Sequence, residues 1–398
     1  MGSVQDEAKA LSDEIIDLRH AIHREPEIGL ELPKTQQKVL AALDGLPLEV
    51  TSGRALSSVT AVLRGGRPGK TVLLRGDMDA LPVTERSGLD YTSQIPGVMH
   101  ACGHDTHVAM LAGAAKLLAA RRDEIAGNVI FMFQPGEEGL GGAQQMIEEG
   151  VLDVTGERPV AAYALHVISD EIAPGVFSSR GGPVLAASDS LEVTVCGRGG
   201  HGSVPFRGAD PIPAICEIVT ALQTMVTRKF DVFDPVVITV GSLHAGTARN
   251  VIPDDASFLA TVRTLSPQNR EHVRDASLTL VRQIAAAHGL TAKAEYVHGY
   301  PVTMNEPAEV TFAEGVIADT FGESRFERQE NPDPGSEDFS YVLEQVPGAF
   351  ISLGACPPGV DPDTAPSNHS AEAVFDDCVL PDGTALYAAL ALQRLAAP

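Results

Sequence analysis

The sequence predicts an α/β protein: a mostly parallel sheet covered by helices, interrupted by an inserted ferredoxin-like α+β unit. Three observations carry this. Helix-patterned and strand-patterned runs alternate through the first half of the chain, as βαβ units do. Several strand runs, such as Val129–Phe133 within the Gly127–Phe133 strand, are apolar without interruption, which marks strands covered on both faces. Near residue 188 the pattern switches to apolar/polar alternation, and the elements then follow the order β-α-β-β-α-β.

Taken in order, Glu7 to Arg24 places Leu11, Ile15, Leu18 and Ile22 at intervals of three or four residues, the helical period. Lys70–Arg75 is a β-rich run after the Pro68-Gly69 turn, and His107 to Arg121 is an Ala- and Leu-rich helix. The Gly127–Phe133 strand ends in the turn at Pro135-Gly136, and Ala161–Leu165 is a further apolar run. In the insert, Leu191–Cys196 alternates, a helix covers Asp210–Arg228, and strands cover Val236–Val240 and Ala256–Thr264. A helix over Ser266–His288 and a strand over Thr291–Val297 complete it. Helix signals resume at Glu306, and Gly348–Gly354 reads as a buried strand. The main domain is therefore expected at 1–187 and 301–398, and the insert at 188–300. Ala187-Ser188 and Gly299-Tyr300-Pro301 are the expected hinges, which would make the insert a lid.

Composition narrows the function. A chain of 398 residues with 44% apolar content suits two domains with real cores. A formal charge of −24 provides no basic stripe for phosphates or anionic lipid, so neither nucleic acid nor a membrane is an expected partner. No leader pattern and no apolar run of about 18 residues is read. Cys102, Cys196, Cys216, Cys356 and Cys378 are an odd, unpaired set, which fits the reducing cytoplasm.

The chemistry concentrates in two stretches, Met99-His100-Ala101-Cys102-Gly103-His104-Asp105 and Gln134-Pro135-Gly136-Glu137-Glu138-Gly139. Taken alone, a cysteine is most often a small core residue and a Glu-Glu pair a solvated face. Together, a thiolate, imidazoles and carboxylates make good ligands for zinc, manganese or cobalt. Two adjacent glutamates suit a division of labour, in which one holds metal while its neighbour stays free to move a proton. Glu137 and Glu138 follow the exit of the Gly127–Phe133 strand, where open α/β sheets carry their chemistry, and His166 sits at the exit of the run Ala161–Leu165. That combination reads as metal-assisted hydrolysis.

With these two stretches, further segments resemble one family over almost the whole chain. They are Leu18–Glu27, Arg75-Gly76-Asp77-Met78-Asp79-Ala80-Leu81-Pro82, Ala164-Leu165-His166-Val167, Gly197–Gly202, Asn250–Pro253, Gly335-Ser336-Glu337-Asp338-Phe339 and Ser367-Asn368-His369. The chain is similar to the M20 metallopeptidases and amidohydrolases, in the branch of aminoacylases, hippurate hydrolases and auxin-conjugate hydrolases. The resemblance implies two divalent ions (Mn²⁺, Zn²⁺, Co²⁺ or Ni²⁺) held by Cys102, His104, Glu138, His166 and His369. Cys102 would be shared, with His104 and His166 on one ion and Glu138 and His369 on the other. Most members place a histidine where this chain has Asp77, and His104 is expected to replace it.

The remaining roles follow from residue type and resemblance together. Glu137 is the expected general base, and Asp79 orients a metal-bound imidazole or else caps a turn. His201, in a glycine-rich turn, would polarise the scissile carbonyl, in its own subunit or in that of a partner. Asn250 and Arg263 would contact substrate, and the backbone at Gly335-Ser336, opening a helix at Glu337, would grip a carboxylate. The implied reaction is hydrolysis of an N-acyl amino acid by a homodimer or higher homo-oligomer. Metallo-dipeptidase or carboxypeptidase action is the enzyme alternative, and a catalytically inactive metal-binding protein is the alternative of another class.

Overall fold

A computed structural model describes residues 3–397. The chain divides into two compact units, one formed by the residues up to Val184, Met304–Asn331 and those from Asp338 onward, the other by Leu185–Thr303 and Pro332–Glu337. The fold is α/β, as the sequence predicts.

The larger unit is built on an eight-stranded sheet. Its centre consists of four neighbouring parallel strands, Ala126–Gln134, Arg67–Asp77, Ala161–Ile168 and Gly348–Gly354. Antiparallel pairing enters toward the edges, through Val59–Arg64 on one side and Phe177–Ser179 on the other. Val72, Leu73 and Leu74 are wholly buried, and so are Val129 to Phe133, as expected of strands covered on both faces. Each such side chain contributes about 1.5–3 kcal/mol on leaving water.

The helices His104–Ala120 and Leu380–Ala396 are almost entirely buried, and both are Ala-rich. Small side chains allow close approach here. A Cβ on Gly113 would sit 2.8 Å from Ile15 Cδ1.

The single N-terminal helix expected from the apolar spacing is two helices, Val4–Ala10 and Ser12–His23. The chain breaks at Leu11, where the Ser12 hydroxyl donates to the Lys9 carbonyl at 2.7 Å. Local side-chain competition of this kind leaves the apolar period intact, so periodicity alone misses it.

The smaller unit has a four-stranded antiparallel sheet in the order Val236–Ala245, Asp255–Thr264, Ala187–Cys196, Thr291–Val297. The helices Pro211–Lys229 and Pro267–Ala287 cover one face. Leu191, Val193 and Val195 pack with Ile215, Ile218, Leu222, Phe258 and Val262 in that core. Both helices open on a capping side chain: Asp210 accepts from the Ile212 amide, Ser266 from the Asn269 amide, and proline follows each cap. Among the described residues no helix is long and apolar enough to cross a membrane.

Candidate metal centre

Parallel register brings the chemistry to one edge of the larger sheet. Asp77 lies opposite Gln134, Arg75 opposite Ala164, and Ser352 opposite His166. The chain that leaves these strand ends carries Asp79 and the Glu137-Glu138 pair. This is the carboxyl edge at which open α/β sheets hold their ligands.

Gly103 turns the chain from Cys102 into the helix that His104 begins. Its φ is +79°, and a Cβ there would sit 2.4 Å from Val167 Cγ2, so only glycine fits. The helix starts three residues earlier than the Ala/Leu pattern suggests, which places His104 in its first turn. On the other side His369 has a left-handed φ of 70°, held by its amide donating to the Ala101 carbonyl at 2.8 Å. Such backbone costs about 1–3 kcal/mol and persists where surrounding structure imposes it.

Cys102 lies at the centre. Its sulfur is 3.4 Å from His166 Nε2 and 3.3 Å from His369 Nε2. His369 Nε2 is in turn 3.2 Å from Glu138 Oε1. The donor atoms of Cys102, His104 and His166 all lie within 4.8 Å of one another, and so do those of Cys102, Glu138 and His369. The two triads share the sulfur. A third group of the same span joins His104, Glu137 and Glu138.

Tautomers follow from the partners. His166 Nδ1 donates to the Val167 carbonyl at 2.9 Å, which leaves the Nε2 lone pair facing Cys102. Neither ring nitrogen of buried His104 makes a hydrogen bond; Asp77 Oδ2 and Asp79 Oδ1 stand 3.5 and 3.6 Å away. Burial opposes ionisation of the Cys102 thiol, but His166 and His104 outweigh it and hold the thiol well below its usual range. Burial raises Glu138. An unbonded buried imidazole beside a thiolate, two further imidazoles and a carboxylate is a donor set that fits divalent ions of borderline softness.

Asp79 spans the acidic pair: its two oxygens accept the amides of Glu137 and Glu138, each at 3.0 Å. It thus holds that turn while standing beside His104. The residues that sequence reasoning did not assign lie beneath. Arg75, wholly buried, donates to Asp77 at 2.7 Å and to Gln134 at 2.8 Å, and lies 3.2 Å from Asp338. Gln134 also donates to Asp338 at 2.7 Å. Asn368 donates to the Val167 carbonyl at 3.0 Å and accepts from the Ser169 amide at 2.9 Å. Asp338 and Asn368 stand inside the recurring segments, and that position was the one signal for them.

His201, Asn250, Arg263, Gly335 and Ser336 belong to the smaller unit, and none is in the donor groups. His201 pairs with Val251 across a short ladder, and its Nδ1 is 2.9 Å from the Ser203 hydroxyl. The Asn250 carbonyl accepts from the Gly202 amide at 2.8 Å. Arg263 donates to the Ser188 and Thr261 hydroxyls at 2.8 and 2.9 Å. The expected helix at Glu337 is absent: the nearest begins at Ser340 and spans four residues. The Gly335 amide is bonded to Asp333 Oδ1 at 2.5 Å.

A model of peptidase family M20/M25/M40 matches residues 73–393. The chain belongs to this family. One relative, thermostable carboxypeptidase 2 of Saccharolobus solfataricus, is 39% identical over 394 residues, covering 98% of each chain. Hippurate hydrolase of Campylobacter jejuni is 36% identical over 386 residues, covering 97% of each. A solved structure from Bacillus subtilis, described as a dinuclear metal-binding peptidase of family M20, superposes with a TM-score of 0.84. It is 29% identical, and the match covers 98% of this chain and 99% of that one. The present M20 chain is a hydrolase, and its clustered thiolate, imidazoles and carboxylates are potential metal ligands.

Proposed function

We propose that this M20 hydrolase cleaves the amide bond of N-acyl amino acids, releasing a carboxylate and a free amino acid. The observation that carries the reading is the pair of donor triads sharing Cys102, with Glu137 beside them. Cys102, His104 and His166 would hold one divalent ion, and Cys102, Glu138 and His369 the other. When bound, the ions polarise the scissile carbonyl and acidify the attacking water.

The chain's own residues do the rest. Glu137 takes the proton of the attacking water and delivers it to the leaving amine. Asp79 fixes the turn on which Glu137 sits. From the smaller unit, acting as a lid, His201 stabilises the developing oxyanion, and Arg263 and Asn250 hold the substrate, with Arg263 suited to a carboxylate. The lid histidine would serve its own subunit or that of a partner in a homodimer or higher homo-oligomer.

A second reading has a specific observation behind it, the carboxypeptidase name of the 39% identical relative. Both activities cut an amide whose amine side is an amino acid with a free carboxylate. The test is a panel of hippurate, acetyl- and longer N-acyl amino acids, free dipeptides and N-blocked dipeptides. Each is offered to metal-free protein and to protein loaded with Mn²⁺, Zn²⁺, Co²⁺ or Ni²⁺. Metal-dependent release from simple N-acyl amino acids is expected. Cleavage of N-blocked dipeptides alone would favour the carboxypeptidase, and no release from any member would favour a binding protein.

A further inference from the structure

The segment Leu18–Glu27 supplies no donor atom, yet it is tied to both sides of the candidate centre. Arg19 and His23 lie one turn apart on the helix Ser12–His23, and both are buried. Arg19 Nε donates to Asp105 Oδ2 at 3.1 Å, and His23 Nδ1 lies 2.9 Å from the same oxygen. Arg19 also bonds Asp377, which precedes the helix Leu380–Ala396, and His23 Nε2 is 3.1 Å from Glu85 Oε1. Asp105 is itself buried and directly follows His104 in the first turn of the His104–Ala120 helix. A few residues further on, the Glu27 carbonyl accepts the amide of Ala80 at 2.8 Å, next to Asp79.

A buried carboxylate between two buried cations is a poor way to gain stability alone. Desolvation costs several kcal/mol per ion, and apolar residues of similar volume often do as well or better. Its directional bonds instead fix where the partners stand. The bonded oxygen belongs to the residue after His104, and the far end of the same segment is bonded to the residue after Asp79.

We propose that Arg19, His23 and Asp105 are positioning residues that fix the first turn carrying His104 relative to Asp79, and so set divalent-ion affinity without supplying a ligand. This rests on the reading of Cys102 and His104 as metal ligands. Outer partners of metal ligands typically matter by about 10–100-fold in affinity.

The test is Co²⁺ titration of metal-free protein, read as the dissociation constant against a competing chelator and as the thiolate-to-cobalt absorption band. Asp105→Asn and His23→Gln should each weaken Co²⁺ binding by about 10–100-fold and alter the band while circular dichroism stays native. The control is Glu309→Gln, which breaks a separate cluster with Tyr163 and Arg394 that shares no hydrogen bond with Arg19, His23 or Asp105. It should lower thermal stability and leave Co²⁺ affinity within about threefold, as expected for sites with no shared partner. If Asp105→Asn does not fold, the milder His23→Gln carries the test. Folded variants that bind Co²⁺ as the wild type does would overturn the inference, and so would an equal loss of affinity in Glu309→Gln. A wild-type spectrum without a thiolate band would overturn the ligand reading and this inference with it. A normal wild-type band with unchanged variants would overturn this inference alone.

Discussion

His107 Nδ1 stands 2.5 Å from Asp77 Oδ1, while its Nε2 accepts the Val167 amide at 2.8 Å. One neutral imidazole thus joins the carboxyl end of a strand to the backbone beside His166. Burial keeps this ring neutral, lowering its pKa to about 4 against the pull of Asp77. His107→Phe would leave the Asp77 charge short of one partner and the Val167 amide with none. Asp77 keeps Arg75, so the loss is that of a buried donor left unsatisfied, about 1–3 kcal/mol. Denaturant unfolding of the metal-free variant should show a loss of that order, and a loss below about 1 kcal/mol, the range of surface substitutions, would contradict the assignment.

Glu137→Gln separates chemistry from metal binding. The variant should retain wild-type metal content and lose about 10²–10⁴-fold in kcat, the range of general-base catalysis. Elemental analysis beside steady-state kinetics measures both, and near-normal kcat would remove Glu137 from the role.

Cys102 should behave as a ligand thiolate and not as a nucleophile. A thiol reagent should label it rapidly after chelator treatment and slowly after Zn²⁺ or Mn²⁺ is restored, with mass spectrometry locating the label. Equal labelling in the two states would count against a metal-bound sulfur.

His23 gives stability a pH signature. Burial disfavours its charge, but Asp105 and Glu85 outweigh burial and the nearby Arg19, and its pKa rises to about 9. The unfolded value is about 6.5. The contribution is therefore complete below about pH 6.5 and fades as pH climbs through about 9. The stability difference between wild type and His23→Gln should reach about 1–3 kcal/mol at pH 6 and shrink by about pH 9.5. A difference that grows with pH would show the sign to be wrong.

Mixing His201→Ala with Glu137→Gln tests whether the lid histidine serves a partner. About half the dimers would be mixed, each with one intact site of two, so activity should recover toward roughly a quarter of wild type. No recovery after verified subunit exchange would return His201 to its own chain or remove it from catalysis.

Much of this architecture was readable because period and burial agree. The run Val129–Phe133 is apolar without interruption and is a doubly covered strand, and Leu191–Cys196 alternates and has one face on helices. The break at Leu11 was not readable, because the apolar period passes straight through it. In the centre, Cys102 and the acidic pair stood out as chemical types in close spacing. The Asp77–His107 and Arg75–Asp338 bonds did not, because parallel register and tertiary packing create them, and neither follows from spacing along the chain.

One sulfur belongs to both donor triads. On the ligand reading, occupation of either position alters the electron density that Cys102 offers the other, so the two affinities are thermodynamically linked. Linkage of this kind is reciprocal: whatever the first ion does to the second, the second does to the first. Metal titration should then follow a coupled two-step isotherm. Partly loaded preparations would be mixtures whose activity does not track metal content in a straight line.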